Sequence, residues 1–234
     1  MEKNNNENWN LHRGAIMKDN NAIGIQYLQE GKYELAIKAF TEEIENNPTN
    51  AVAYVNFGNV LNAVGEKEKA MNFYKKALGL DEKMAAAYYA LGNNYFELED
   101  WQNAKEMFEA AMKNGLQNDG DTLFMLGMTL LKFDQPKLAL PYFQRAVELK
   151  PTDMEARFQY GLCLAQQGLL EEAIEQLEEV VKYDNQHADA FYNLGVAYAY
   201  TENKEKSLEM LDKALEVQHD HILAAHAKKI ILEN

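Results

Sequence analysis

Cysteine, proline and long hydrophobic runs are all scarce in this sequence. A single cysteine, Cys163, among 234 residues excludes an internal disulfide. The four prolines and 13 glycines are few, which favours regular, mainly helical structure over loops. No segment approaches the roughly 18 apolar residues of a membrane span, and residues 1–16 lack the apolar stretch of a signal peptide. We therefore expect a cytoplasmic protein that has no membrane partner.

Positive charge is also in short supply. The chain has 23 Lys and Arg against 37 Asp and Glu, which gives a formal net charge of −14. Such a balance repels phosphate backbones, so a nucleic acid is not expected as a partner. An acidic surface suits a basic partner, although it is also typical of a surface that only keeps a protein in solution.

Recognisable catalytic motifs are absent from the sequence. It contains no G-x-G-x-x-G, no phosphate loop, no G-x-S-x-G and no paired cysteines. We therefore expect neither enzymatic activity nor a cofactor. His219, His221 and His226 suggest a metal site, but 219 and 221 would lie on opposite sides of a helix, which favours surface histidines. Cys163 occupies a slot that Val60 fills in an earlier repeat, which favours a small buried residue over a reactive thiol.

One pattern recurs six times along the chain. An apolar residue followed by glycine returns at intervals of 34, 34, 35, 34 and 34 residues, at Gly24, Gly58, Gly92, Gly127, Gly161 and Gly195. A small residue follows each glycine by 12 positions, and a large apolar residue follows it by 16, as Ala36 and Phe40 do in the first copy. Two apolar stripes at helical spacing, separated by a polar break, predict a helical hairpin in each copy. The glycine and the small residue would let the two helices approach closely.

This pattern resembles the tetratricopeptide repeat, in the form of a stand-alone, bacterial-type protein with six repeats. The resemblance implies an all-α fold, an α-solenoid of six helix-turn-helix repeats in a right-handed superhelix with a C-terminal capping helix. The repeats are placed at 17–50, 51–84, 85–119, 120–153, 154–187 and 188–221, and the capping helix at 222–234. The Asn-rich residues 1–16 are expected to be partly disordered.

The third and fourth repeats depart from the pattern. Repeat 3 has one extra residue within 114–120. Repeat 4 has Pro136 at the start of its second helix, where proline is tolerated, and Pro141 inside that helix, where it removes a backbone donor. We expect a kink at Pro141 and a change in curvature at this joint.

The resemblance also implies a binding site. In such proteins the first helix of each repeat lines a concave groove through its positions 2, 5, 6, 9, 12 and 13. Repeats 1–3 supply mainly amides, which can bond the backbone of an extended peptide: Asn21, Asn56, Asn59, Asn62, Tyr89 and Asn93. Repeats 4–6 supply a mainly apolar patch, suited to a helix or a hydrophobic peptide: Phe124, Met125, Met128, Phe158, Leu162, Tyr192, Asn193 and Val196. Packing between repeats is the alternative role of the patch.

These observations predict a non-catalytic adaptor that binds a basic or apolar peptide or helix of a partner protein in the groove. Positions 5 and 6 of the first helices hold no lysine or arginine, so the family's clamp for the C-terminal carboxylate of a chaperone is not expected. The alternative is a scaffold that forms a homo-oligomer through the groove or its end helices. The acidic run within 171–179 lies on a second helix and is either a solvated ridge or an attraction for a basic partner.

Overall fold

The computed structural model describes residues 19–233. Within this range thirteen α-helices follow one another: α1 Asn20–Gln29, α2 Tyr33–Asn46, α3 Ala51–Ala63, α4 Lys67–Leu80, α5 Ala85–Glu97, α6 Trp101–Ala111, α7 Gly120–Lys132, α8 Pro136–Leu149, α9 Met154–Gln166, α10 Leu170–Tyr183, α11 Ala188–Tyr200, α12 Lys204–Val217 and α13 Ile222–Glu233. No strand occurs between residues 19 and 233, and the predicted all-α solenoid is confirmed. The handedness of the superhelix stays a prediction, and the Asn-rich segment 1–16 lies outside the described residues.

The helices belong to two compact units. Unit 1 ends at Ala87 and unit 2 begins at Tyr88, so the division falls within the first turn of α5. In unit 1, Ala36, Phe40 and Val60 form a buried apolar cluster. In unit 2, one buried cluster joins α6, α7, α8 and α9, and another joins α9 to α13. Each repeat therefore buries its apolar stripes partly against a neighbouring repeat, as stacked hairpins must.

The helix crossing in each hairpin depends on the repeated glycine. In unit 1, a Cβ atom at Gly58 of α3 would lie 2.4 Å from Cε1 of Tyr74 in α4. The other five glycines have the same relationship to the large side chain 16 residues later. Each glycine therefore makes room for an aromatic or leucine side chain of the second helix, in addition to the close approach of the helices expected from the sequence.

The turn inside each hairpin contains one residue with a positive φ. Three of these positions are glycine and three are not: Gly31, Gly65 and Gly168 have φ of 70°, 84° and 77°, and Glu99, Asp134 and Glu202 have φ of 59°, 55° and 61°. They recur at the same 34- and 35-residue intervals as the helix glycines. Because side chains with a Cβ rarely adopt this conformation, the turn geometry is imposed by the packing of the two helices.

The extra residue of repeat 3 is accommodated in a five-residue segment at the end of α6 whose backbone is partly non-helical. This segment, Met112–Leu116, continues directly from α6, and Gly115 within it has a φ of 131°. The next second helix, α8, runs from Pro136 to Leu149 without a break at Pro141. The irregular joint therefore changes the end of α6, while α8 continues through Pro141; the kink at Pro141 and the change in curvature stay predictions.

The last helix, α13, covers the end of the last repeat, as predicted. Ala224 is fully buried in the cluster that joins α9 to α13, and Ala227 and Ile231 pack against that cluster. The opposite side of α13 leaves Ile222 and Leu223 exposed. Over residues 19–233, every helix is too short or too polar to cross a membrane.

Candidate partner-binding groove

The candidate amides of unit 1 are partly engaged with the protein itself. Nδ2 of Asn56 donates a hydrogen bond to Oδ1 of Asn21, at 2.9 Å. The hydroxyl of Tyr74 donates to Oδ1 of Asn59, at 3.0 Å. Asn62 differs, because its Oδ1 is buried and has no hydrogen-bond partner among the described residues. The predicted amide row is thus present on α1 and α3, half-buried, with Asn62 offering an unused acceptor.

Tyr89 and Asn93 lie on α5 in unit 2, one helical turn apart and joined by a side-chain hydrogen bond. Burial raises the pKa of Tyr89 above its ordinary value, and the charges of Asp121 and Asp119 act in the same direction. The Tyr89 ring also lies 6.0 Å from that of Phe108. Its hydroxyl therefore stays neutral at physiological pH, close to the carboxylates at the start of α7.

The predicted apolar patch is divided between two buried clusters of unit 2. Phe124, Met125 and Met128 on α7 are half-buried against the cluster that joins α6 to α9. Leu162 and Tyr192 are half-buried against the cluster that joins α9 to α13. Each of these side chains therefore has one side in the core and another that solvent or a ligand can reach.

Phe158 does not share this position. Only 7% of its surface is exposed, and its ring lies 4.5 Å from the ring of His187. It belongs to the buried cluster itself, together with Phe191 and Leu194 of the next repeat. Phe158 is therefore a core residue that packs repeat 5 against repeat 6. Its role is the packing between repeats that was the alternative to ligand binding for this patch.

The last two candidates lie on α11. Nδ2 of Asn193 donates to the backbone oxygen of Asp189, at 2.7 Å. Val196 lines a cleft of about 260 Å³ between α11 and α13, together with Tyr200, Ile230 and Ile231. The capping helix thus lines this cleft together with α11, a role that was not predicted from the sequence.

One face of α7, α9 and α11 combines these candidates with a row of carboxylates. Helical positions i, i+4 and i+7 share a face. We call the nine residues at these positions the groove face: Asp121, Met125 and Met128 on α7, Glu155, Gln159 and Leu162 on α9, and Asp189, Asn193 and Val196 on α11. On each helix the acidic residue is exposed and lies in the first turn, and the other two are half-buried. The result is an acidic edge beside a mainly apolar floor.

The carboxylates of the groove face have only weak internal partners. Asp121 lies 3.3 Å from Nζ of Lys150, with both side chains more than half exposed. Glu155 accepts a hydrogen bond from Gln159 at 2.9 Å. Oδ1 of Asp189 lies 3.1 Å from Nε2 of His221. The Lys150 and Gln159 contacts are exposed and contribute little to stability, so a ligand cation can replace them. His221 is only 6% exposed, but the Asp189 carboxylate beside it is 67% exposed and has further acceptor positions for a ligand cation.

Comparison with known proteins agrees with the repeated architecture. Four family models, each described as tetratricopeptide repeat, match residues 51–84, 83–152, 124–182 and 164–229. The crystal structure of YrrB, described as a TPR protein with an unusual peptide-binding site, is 56% identical with a TM-score of 0.78. The match covers 82% of this chain and 99% of that chain. The chain belongs to the tetratricopeptide-repeat family.

Curated relatives are more distant and much longer. The human protein O-mannosyl-transferase TMTC3 is 27% identical over 212 residues, which cover 88% of this chain and 23% of that protein. The human DnaJ homolog subfamily C member 3 is 22% identical over 225 residues, 89% of this chain and 44% of that protein. This tetratricopeptide-repeat chain therefore spans less than half the length of either relative.

The acidic row of this tetratricopeptide-repeat protein was not predicted from the sequence. Asp121, Glu155 and Asp189 all occupy position 2 of their repeats, one of the positions assigned to the groove. Position 2 in the earlier repeats is Lys18, Val52 or Ala86. Comparing position 2 across all six repeats would have revealed that only the last three are acidic.

The histidine prediction requires a correction. His219 and His221 lie in the turn between α12 and α13, not on opposite sides of a helix. His221 is only 6% exposed: its Nδ1 accepts the backbone N–H of Ala224 at 3.1 Å and so caps α13, and its ring lies 5.2 Å from that of Tyr192. No group of three metal-ligating side chains that could hold an ion occurs in the part of the chain that the structure describes.

The interpretation of Cys163 as a small buried residue agrees with the structure. Cys163 is 1% exposed and packs in the cluster that joins α6 to α9. Burial raises the pKa of its thiol to about 11. The thiol is therefore protonated at physiological pH and inaccessible.

Proposed function

We propose that this tetratricopeptide-repeat scaffold binds an extended peptide of a partner protein on the groove face, and that the peptide carries both basic and apolar side chains. The family and the fold support a role in protein–protein interaction. The observation that favours this ligand is the repeated arrangement of an exposed carboxylate and a half-buried apolar or amide pair on α7, α9 and α11.

The period of the carboxylates sets the pattern expected in the peptide. Helices in direct contact lie about 8–10 Å apart, and α9 and α11 make such contact, so we take roughly 10 Å as the interval between successive carboxylates. In an extended chain of the polyproline II type, which advances about 3.1 Å per residue with three residues per turn, side chains three residues apart lie on the same side. Basic side chains three residues apart would therefore meet successive carboxylates, while the residues between them reach the floor formed by Met128, Leu162 and Val196.

The floor supplies affinity in a different way from the acidic edge. Met128, Leu162 and Val196 are half-buried, so an apolar side chain that covers them removes further surface from water. Methionine adapts its shape to different ligands. The carboxylates, in contrast, chiefly orient the peptide and accelerate its association. The similarity to YrrB, itself described as having an unusual peptide-binding site, supports a peptide ligand.

The direct experiment compares two labelled peptides of identical composition by fluorescence anisotropy. One is Arg-Ala-Leu-Arg-Ala-Leu-Arg, and the other groups the basic residues as Arg-Arg-Arg-Ala-Leu-Ala-Leu. We expect the spaced peptide to bind at least about tenfold more tightly. Its affinity should also fall several-fold between low and physiological salt, because the charges are exposed. Equal affinities, or an affinity that salt does not change, would contradict the proposal.

Self-association is a second candidate, and one observation favours it. Four large apolar side chains of α13 are exposed: Ile222 at 81%, Leu223 at 56%, Ile230 at 45% and Leu232 at 58%. Such an end surface could pair with another copy of the chain. Size-exclusion chromatography with light scattering distinguishes the candidates, because a monomer mass that does not change with concentration would count against a homo-oligomer.

A further inference from the structure

A second cleft of unit 2 lies away from the groove face, between the second helices α6 and α8. Its volume is about 550 Å³, within the range of ligand sites. Leu123 and Leu130 of α7, each 3% exposed, contribute to its lining. Leu138 on its α8 side is 56% exposed, which is unusual for a leucine beside an apolar cleft. We call this feature the α6–α8 cleft.

The charge of the α6–α8 cleft is opposite to that of the chain. Lys105, Lys137 and Arg145 line it together with a single acidic residue, Glu109. The whole chain, in contrast, has a formal net charge of −14. A local excess of cations on an acidic protein is the electrostatic signature of a surface that attracts an acidic ligand.

The cations of the cleft are available to a ligand. Lys105 pairs with Glu109 at 3.4 Å and Arg145 with Glu148 at 2.9 Å, and all four side chains are at least one-third exposed. Such pairs exchange partners at little cost. Lys137 makes no ion pair with any residue between 19 and 233. One basic residue is therefore unpaired, and two are weakly paired.

The α8 side of the cleft has a basic–apolar–basic order along one helical face. Five residues occupy neighbouring positions on this face of α8: Lys137, Leu138, Pro141, Tyr142 and Arg145. At about 1.5 Å per residue, the backbones of Lys137 and Arg145 are roughly 12 Å apart along the axis. The exposed apolar surface of Leu138, Pro141 and Tyr142 lies between the two cations.

We propose that the α6–α8 cleft docks an acidic segment of a partner protein, in which an apolar side chain lies between two carboxylates. The carboxylates pair with Lys137 and Arg145, and the apolar side chain enters the cleft above Leu123 and Leu130. This surface shares no residue with the groove face and selects the opposite charge. One scaffold can thereby hold a basic and an acidic segment at the same time.

The test uses the full chain and a labelled, end-blocked peptide, Glu-Ala-Phe-Ala-Glu. Carboxylates four residues apart in an extended chain are separated by about 13 Å, which matches the two cations. The control peptide, Glu-Glu-Ala-Phe-Ala, has the same composition but the wrong spacing. We expect saturable binding of the first peptide and at least about fivefold weaker binding of the second. No saturable binding up to about 1 mM, or equal binding of both peptides, would overturn the proposal.

Variants then locate the site. The double variant Lys137→Glu and Arg145→Glu should lose at least about tenfold in affinity. The double variant Lys83→Glu and Lys204→Glu makes the same charge change at exposed lysines elsewhere and should bind like the wild type. Leu138→Ser tests the apolar contact without changing charge, and we expect it to weaken binding. Because this side chain is exposed and not part of the core, the variant should remain folded. Equal losses in both charge variants would overturn the assignment. So would a dimer of the chain that dissociates in the Lys137 and Arg145 variant, since the occupant would then be a second copy.

Discussion

Gly58 and Tyr74 occupy adjoining space, since a Cβ atom on Gly58 would lie 2.4 Å from Cε1 of the tyrosine ring. Tyr74 is 2% exposed and cannot move aside. We predict that Gly58→Ala destabilises the protein by about 1–3 kcal/mol, the cost of an overpacked core. Urea denaturation followed by circular dichroism measures this loss.

Gly79 on α4 provides the matched control. A Cβ atom there meets nothing within 4 Å. Gly79→Ala should therefore stabilise the helix, by up to about 1 kcal/mol. Stabilisation of both variants would show that the glycine pattern reflects helix propensity and not the space beside the ring.

The turn residue Glu99 has a φ of 59°, where the equivalent turn of the preceding repeat has Gly65 with a φ of 84°. We predict that Glu99→Gly raises the stability by about 1 kcal/mol, because glycine adopts this conformation without strain. Gly65→Ala should lower it by a similar amount. Thermal denaturation of the two variants measures both changes, and a loss of stability in Glu99→Gly would contradict this account of the turn.

The regular part of the fold could be predicted because each repeat encodes its own hairpin. The glycine intervals of 34 and 35 residues and the large residue 16 positions later are local signals, and the observed contact of Gly58 with Tyr74 follows from them. The extra residue of repeat 3 was visible in the same intervals. The form it takes at the end of α6 was not, because the choice between a distorted helix end and a longer loop depends on how α6 packs.

The candidate site was less predictable, because burial there depends on contacts between repeats. Phe158 and Leu162 lie one turn apart on α9, yet Phe158 is buried against repeat 6 and Leu162 is half-buried. Likewise, the hydrogen bond from Asn56 to Asn21 joins residues 35 positions apart. Sequence periodicity gives the face of a helix, but not how far the next repeat covers it.

Phe158 and Leu162 should accordingly respond differently to truncation. We predict that Phe158→Ala lowers the stability by about 3 kcal/mol or more. Leu162→Ala should cost less stability and should weaken binding of the spaced arginine peptide more, because its exposed side belongs to the groove face. Denaturation and anisotropy on the same preparations compare the two effects. A fully stable Phe158→Ala variant that has lost peptide binding would show that Phe158 contacts the ligand.

Cys163 should be inert in the folded protein. Its thiol is 1% exposed, and burial raises its pKa to about 11. At pH 8 we predict very slow reaction with Ellman's reagent in buffer and complete reaction in denaturant. Because the neutral thiol is favoured in the folded state, its contribution to stability should be lost as the pH rises from the ordinary value of 9.0 towards 11. Rapid labelling in buffer would contradict the buried position.

The carboxylates of the groove face are the centre of the proposed function. The triple variant Asp121→Asn, Glu155→Gln and Asp189→Asn removes all three negative charges. Its control, the triple variant Glu171→Gln, Glu172→Gln and Glu175→Gln, removes three exposed charges from the acidic ridge on α10. Thermal melting of both variants first establishes that they are folded.

The decisive measurement is the affinity of these two variants and the wild type for the spaced arginine peptide, by anisotropy at low salt. We predict that the groove-face variant binds at least about tenfold more weakly than the wild type, while the ridge variant changes little. A folded groove-face variant with wild-type affinity would contradict the account. A loss confined to the ridge variant would place the basic partner on α10 instead.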